Sequence, residues 1–353
     1  MRAAQFVGKP VFEINDVEDP VCPSGGMVIR VRAAAICGTD LKIMSCQDVK
    51  VEKGKVVTMD LPRITGHEFA GVIETVGSDV AGFEAGDRVA VGPTVPCLAC
   101  AMCDKGYHEM CENVNVIGYH SDGGFAELAA ISEAAVAANC VVKIPDGVSF
   151  EAASLTEPFS CAINCLELSP PSRTGATLVM GPGPLGLIMA DLAKHMGAPK
   201  VFLSGTNDLQ LAKSSVANID ATININKEDI EERMNELTDG MGPELVITSC
   251  PAPEAQQSAM RVVAKRGTVN FFGGLPRDKG IVSLDTNLIH YKEITVIGTH
   301  GSAPSHVAKA VELQAQGALD LSKYVERTFG LEEINEALKM AQGKGRLKVV
   351  ITP

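Results

Sequence analysis

The chain has 353 residues, 46% of them hydrophobic and 21% charged, a length and composition that suit a globular protein of two domains. A net charge of −12 and a pI near 5.1 argue against nucleic acid or an anionic membrane as partner, because both need a basic face. Eleven cysteines, no signal-peptide core in the opening MRAAQFVGKPVFEI and no apolar run of membrane-span length point to reduced thiols, some of them metal ligands, in a cytoplasmic enzyme.

Residues 1–95 hold short β-like runs punctuated by Gly and Pro: an alternating run at 27–33, an apolar one at 69–76 and another at 87–91. Among them, Cys37-Gly38-Thr39-Asp40 and Gly66-His67-Glu68 each place ligand-type residues beside a glycine. Taken singly, Cys37 reads as a buried small hydrophobe and His67 as a satisfied core histidine. The stretch 46–61, with VKVEKGKVV around Lys53-Gly54, reads as a two-stranded flap. Its Lys50, Lys53 and Lys55, with Lys42 and Arg63 near its ends, form either a solvated charged face or a seat for a substrate phosphate.

The loop-rich segment 93–124 contains Cys97-x2-Cys100-x2-Cys103-x7-Cys111. Spacings of two bring the sulfurs onto one tight loop, and four thiolates satisfy tetrahedral zinc with no position left open, so the expected role is structural. A redox disulfide is the rival, but the thioredoxin-like context is missing. No basic helix follows, which disfavours a nucleic-acid-binding zinc module.

A strand-like run at 125–130 and the turn Pro145-Asp146-Gly147 lead into helical pattern from Phe150. From Thr174 strands alternate with helices. Candidate strands at 177–180, 201–204, 221–225, 245–248 and 268–272 suggest a parallel sheet covered on both faces. The first of them runs straight into Gly181-Pro182-Gly183-Pro184-Leu185-Gly186, followed by an amphipathic run to Met196 and a second apolar strand. Strand, G-x-G-x-x-G turn, helix and strand make a dinucleotide-binding unit. Gly181 permits the tight turn, Gly183 lets the backbone approach a pyrophosphate, and Gly186 lets the helix lie against its strand. Exposed N–H groups at the helix start favour the phosphate charge. After Gly274 come a strand at 294–297, helical patterns at 305–316 and 331–342, and a closing apolar run at 347–351. The expected organisation is a β-rich domain of residues 1–150 and 299–353, with a doubly wound α/β domain of residues 151–298 between its parts.

CGTD (37–40), GHEFAG (66–71), GDRVAV (86–91), the four cysteines, DGGFAEL (122–128), TEP (156–158), GPGPLG (181–186) and GRLKVVI (345–351) span nearly the whole chain. Together they resemble the zinc-dependent medium-chain alcohol dehydrogenases, and within them the sorbitol and polyol branch. The resemblance implies a Rossmann sheet plus a GroES-like catalytic domain. It implies that Cys37 and His67 bind a catalytic zinc and that a carboxylate completes the set. That carboxylate is Glu157, at the position where ethanol-type enzymes carry Cys, or Glu68, and the two exchange as water or substrate enters. The resemblance further implies that Thr39 takes the alcohol proton and passes it on, and that the protein is a homotetramer or homodimer joined through the edge strand at 294–297. Asp40 either orients His67 or caps a helix. A set of one thiolate, one imidazole and one or two carboxylates leaves manganese or another divalent ion open beside zinc.

An NAD-specific fold ends its second strand with Asp or Glu for the ribose. Here the position reads Ser204-Gly205-Thr206-Asn207, small and neutral, which places NADP slightly ahead of NAD. Gln210 and Lys213 are the nearest polar partners for a phosphate, and Asp208 would serve the ribose only in a tighter turn. Pro184, Leu185 and Lys348 complete the expected cofactor contacts. The expected reaction moves hydride between a secondary alcohol of a polyol, sugar or polyol phosphate and NAD(P), giving the ketone. Two alternatives stand beside it. One is threonine or simple secondary-alcohol dehydrogenation, and the other is an NAD(P)-binding regulatory protein without catalysis. The intact set Cys37, Thr39, His67 and Glu157 argues against the second.

Overall fold

Strand Met27–Ala35 reads MVIRVRAAA and is buried at every position but Arg30 and Arg32, so it occupies the middle of a sheet rather than an edge. Glu68–Val76 pairs with it antiparallel, and Lys348–Thr352 pairs with its far end. The sheet runs in the order Val141–Lys143, Arg88–Val91, Glu68–Val76, Met27–Ala35, Lys348–Thr352, Val325–Gly330, and Leu128–Ile131 also pairs with Met27–Ala35. A three-stranded sheet of Phe12–Asp16, Arg2–Phe6 and Arg63–Ile64 accompanies it. Phe6, Phe12, Ile29, Phe69, Ile73, Phe125, Ile131 and Ile351 belong to one buried cluster. Burying such side chains contributes about 1.5–3 kcal/mol each.

The computed structural model of the chain describes residues 1–8, 10–45 and 59–353. The expected flap, with Lys50, Lys53 and Lys55, lies outside the described residues for most of its length. The chain divides into two units, one formed by Met1–Ser160, Ser302–Gly343 and Lys348–Pro353, the other by Cys161–Gly301 and Lys344–Leu347. The first crossing falls inside the helix Thr156–Leu168, not at residue 150. Among the described residues no helix is long and apolar enough to cross a membrane.

The second unit holds a six-stranded, wholly parallel sheet. Its order is Ala221–Asn224, Lys200–Gly205, Ala176–Met180, Leu245–Thr248, Thr268–Phe271, Thr295–Gly298. This is the α/β Rossmann arrangement, and the order reverses beside Ala176–Met180, where dinucleotides bind in such sheets. That strand is buried at all five positions. The expected strand at 221–225 ends one residue early. The Asn224 side chain accepts a hydrogen bond from the Asn226 N–H at 3.1 Å, a local turn that competes with the ladder and leaves Ile225 exposed.

Candidate functional site

In the first unit, Cys37 stands just before the helix Gly38–Ser45, and His67 stands just before the strand Glu68–Val76, which Glu68 opens. A ligand atom from each of Cys37, His67 and Glu68 lies within 4.8 Å of the other two. The structure thus brings together three residues from two separate motifs. Glu157, in the first turn of Thr156–Leu168, is not one of this close trio, although its charge reaches His67. The Thr39 hydroxyl accepts from the Cys37 thiol at 3.7 Å.

Of the two roles expected for Asp40, the structure shows a hydrogen bond at the helix start, and its other oxygen only approaches His67. Its Oδ2 accepts from the Cys37 N–H at 2.8 Å, closing the helix start. Its Oδ1 faces His67 Nδ1 at 3.9 Å and has no hydrogen-bond partner among the described residues. Burial raises the Asp40 pKa above the usual carboxylate value. At His67, burial disfavours the imidazolium, yet the Cys37 sulfur and the Asp40 and Glu157 charges outweigh it and push the pKa up to about 10. So much negative charge around one buried imidazole, with a soft thiolate and a hard carboxylate alongside, fits a divalent cation such as zinc.

Two features of this site had no counterpart in the sequence reading. The Tyr119 hydroxyl is 2.8 Å from His67 Nδ1 and hydrogen-bonds with Thr39. The ammonium of Lys348, assigned above to the cofactor, is held by the Glu68 carboxylate at 2.6 and 2.5 Å and by the Ile36 carbonyl at 3.2 Å. Burial pulls the Lys348 pKa down, but Glu68 and Cys37 outweigh it and the net direction is up. The loop bearing Tyr119 is fixed by glycine contacts. A Cβ on Gly123 would strike the Gly66 carbonyl oxygen, and the Gly124 N–H donates to that same oxygen at 2.7 Å. GHEFAG and DGGFAEL are therefore two halves of one packed corner. Arg63, expected as a possible phosphate partner, makes an ion pair with Asp122 at 2.9 Å.

The second cluster is Cys97, Cys100, Cys103 and Cys111, with all four sulfurs within 4.8 Å of one another. Backbone N–H groups point at the sulfurs: Cys97 N to Cys111 Sγ at 3.2 Å and Glu112 N to Cys100 Sγ at 3.4 Å. Such donors favour the thiolate and bring the Cys100 pKa down to about 6. Four thiol ligands on one short loop fit a closed, structural zinc site.

In the second unit the turn 181–186 leaves the central strand as expected. Gly181 has φ +119°, a conformation that L side chains rarely adopt, and its N–H donates to the Ser204 carbonyl at 2.9 Å. Gly183 is the N-cap of the helix Pro184–His195, with Pro184 at its first position. A Cβ on Gly183 would meet nothing within 4 Å, whereas one on Gly186 would strike the Gly181 carbonyl oxygen. Open space at Gly183 and close contact at Gly186 fit a pyrophosphate over the helix start. At the end of the next strand, Ser204 and Gly205 are buried and Thr206 is exposed. Asp208 is not turned toward a ribose. Its carboxylate accepts from Asn224 Nδ2 and from Lys227 Nζ, both at 2.6 Å.

A parallel sheet with this turn, a β-rich domain with a Cys-His-Glu trio and a four-cysteine loop define a zinc-dependent alcohol dehydrogenase, and the chain belongs to that medium-chain family. The family models match accordingly: an alcohol dehydrogenase GroES-like domain over residues 23–146 and a zinc-binding dehydrogenase domain over residues 184–316. The chain is 33% identical to the L-threonine 3-dehydrogenase of Pyrococcus abyssi, over 97% of this chain and 96% of that one. Among solved structures it is similar to a zinc-binding dehydrogenase of Sinorhizobium meliloti bound to NADP, at 25% identity and a TM-score of 0.90. It is also similar to an alcohol dehydrogenase of Escherichia coli in complex with NADH, at 26% identity and a TM-score of 0.89. Both likenesses cover 100% of this chain and 99% of the other. The protein is thus an oxidoreductase whose cofactors are zinc and NAD(P).

Proposed function

We propose that the protein oxidises a secondary alcohol bearing further polar groups, a polyol or sugar alcohol, to the ketone with NADP preferred over NAD. The observation that carries this reading is the trio Cys37, His67 and Glu68 with the Thr39 hydroxyl beside it. When bound, zinc supplies a Lewis acid and the nicotinamide a hydride acceptor. Cys37 and His67 would hold the ion, with Glu68 or Glu157 as the carboxylate. Thr39 accepts the proton of the alcohol while passing its own hydroxyl proton on to bulk water, and the Tyr119 hydroxyl, hydrogen-bonded to Thr39, holds that side chain in place. Lys348 holds the Glu68 carboxylate in place. In the second unit the backbone at Gly181, Gly183 and Gly186 with Pro184 and Leu185 seats the pyrophosphate, and Ser204, Gly205 and Thr206 face the adenosine ribose. The absence of an acid at Gly205 and the engagement of Asp208 by Lys227 support NADP.

L-threonine is the second reading, favoured by the Pyrococcus abyssi relative. A panel of free polyols, polyol phosphates and L-threonine, each assayed with NAD and with NADP, separates the two. Higher kcat/KM on polyols with NADP is expected, and turnover confined to L-threonine would replace the substrate class. A phosphorylated polyol is a variant of the same reading that rests on Lys50, Lys53 and Lys55, which lie outside the described residues; of the cations at the flap's ends, Arg63 is paired with Asp122. The protein is expected to work in the cytoplasm as a dimer or tetramer joined through Thr295–Gly298, one of the two edge strands of its sheet. Light scattering that returns the mass of a single chain would refute the assembly.

A further inference from the structure

Gly205 closes the second strand of the parallel sheet at the place where a ribose-binding acid would stand. A Cβ built there would lie 2.5 Å from Pro182 Cγ, 2.8 Å from Pro182 Cδ and 3.3 Å from Leu211 Cδ2. Protein atoms do not approach so closely, and a proline ring has little freedom to move aside. Nor can the ring shift with its backbone. Pro182 follows Gly181, whose N–H is tied to the Ser204 carbonyl at 2.9 Å and whose Cα faces Ser249 and Cys250. The neighbouring polar side chains are engaged elsewhere. Asn207 caps the helix Asp208–Ala212 by accepting from the Leu209 N–H at 2.8 Å, and Asp208 is held by Asn224 and Lys227.

We infer that Pro182, the first variable residue of the glycine-rich turn, is a determinant of cofactor choice: its ring occupies the space of any side chain at 205, so the strand end cannot carry the acid that selects NAD. This inference rests on the reading of the turn as the dinucleotide site. It makes two positions on different strand ends a single unit. An acid at 205 works only after the ring at 182 is removed.

The test is a double-mutant cycle read by cofactor titration and by thermal melting of the full-length protein. Gly205→Asp alone is expected to lower the melting temperature with no gain in NAD affinity. Gly205→Asp in a Pro182→Ala background is expected to bind NAD at least roughly tenfold more tightly than Pro182→Ala does, and NADP correspondingly less. An NAD gain in Gly205→Asp alone equal to that of the double variant overturns the inference. Gly205→Ala provides the arm that survives if the aspartate variants do not fold. It should lower the melting temperature with Pro182 present and by much less with Ala at 182, and equal losses in both backgrounds also overturn the inference. The wild type's own preference is read separately. Tighter binding of NAD than NADP by the unaltered protein would refute the NADP reading and leave the coupling of 182 and 205 to stand or fall on the cycle.

Discussion

Replacing Lys348 by Met tests a buried ion pair of the metal domain. The Lys348 side chain is 8% exposed and that of Glu68 1%, so neither charge is relieved by water when the other is removed. At an effective dielectric near 20, unit charges 4 Å apart interact by about 4 kcal/mol, and the ammonium here is closer, at 2.6 and 2.5 Å from the two oxygens. Much of that attraction offsets the desolvation of the pair, but deleting one partner leaves an uncompensated buried carboxylate, at a cost of about 3–5 kcal/mol. At about 2–4 °C per kcal/mol for a domain of this size, the melting temperature should fall by about 6–20 °C. The assay is thermal unfolding by circular dichroism on chelator-treated protein, so that no ion takes over the role of the ammonium. Glu68→Gln combined with Lys348→Met should recover part of the loss, because both charges are then gone together. A Lys348→Met protein that melts within about 2 °C of the wild type would refute the reasoning.

Thr39→Val should lower kcat by about 10²–10⁴-fold while the zinc content stays at its wild-type value, since only the proton path is cut; a kcat within about threefold of wild type removes Thr39 from the reaction. Gly183→Ala should leave the melting temperature unchanged, because its Cβ meets nothing within 4 Å, and should weaken cofactor binding in titration by about tenfold. Gly186→Ala should do the reverse in part, costing about 1–3 kcal/mol of stability through its collision with the Gly181 carbonyl. Cys100→Ala should remove one zinc per chain by elemental analysis and lower the melting temperature, whereas equal zinc content in variant and wild type would refute the four-cysteine site.

What could be read from the chain was what short-range rules govern. The cysteine spacing 97–111 and the turn 181–186 specify their geometry within a few residues, and both are found where expected. The parallel strands showed as apolar runs because they are buried on both faces, as Ala176–Met180 is at every position. The Cys37, His67 and Glu68 trio needed the resemblance, since nothing local ties residue 37 to residue 67. Lys348 on Glu68 was beyond reach for a stronger reason: the two are 280 residues apart in sequence and meet only through antiparallel pairing with the strand Met27–Ala35. Tyr119 went unnoticed because a tyrosine after a glycine in a loop has no distinguishing pattern. Its hint was its place just ahead of DGGFAEL, whose glycines pack on Gly66. Asp208, a ribose candidate only in a tighter turn, is held by Asn224 and Lys227 from the next strand end, partners that no local pattern announces.

The central claim is that one zinc held by Cys37, His67 and a carboxylate drives alcohol oxidation, and zinc content measured together with NADP reduction on the same preparations tests it most directly. Wild-type protein should carry two zinc ions per chain and turn over a secondary alcohol. Cys37→Ser should retain the structural zinc, the fold and cofactor binding, and lose the second zinc together with turnover. A Cys37→Ser protein that loses no zinc, or that reduces NADP at the wild-type rate, would contradict the account.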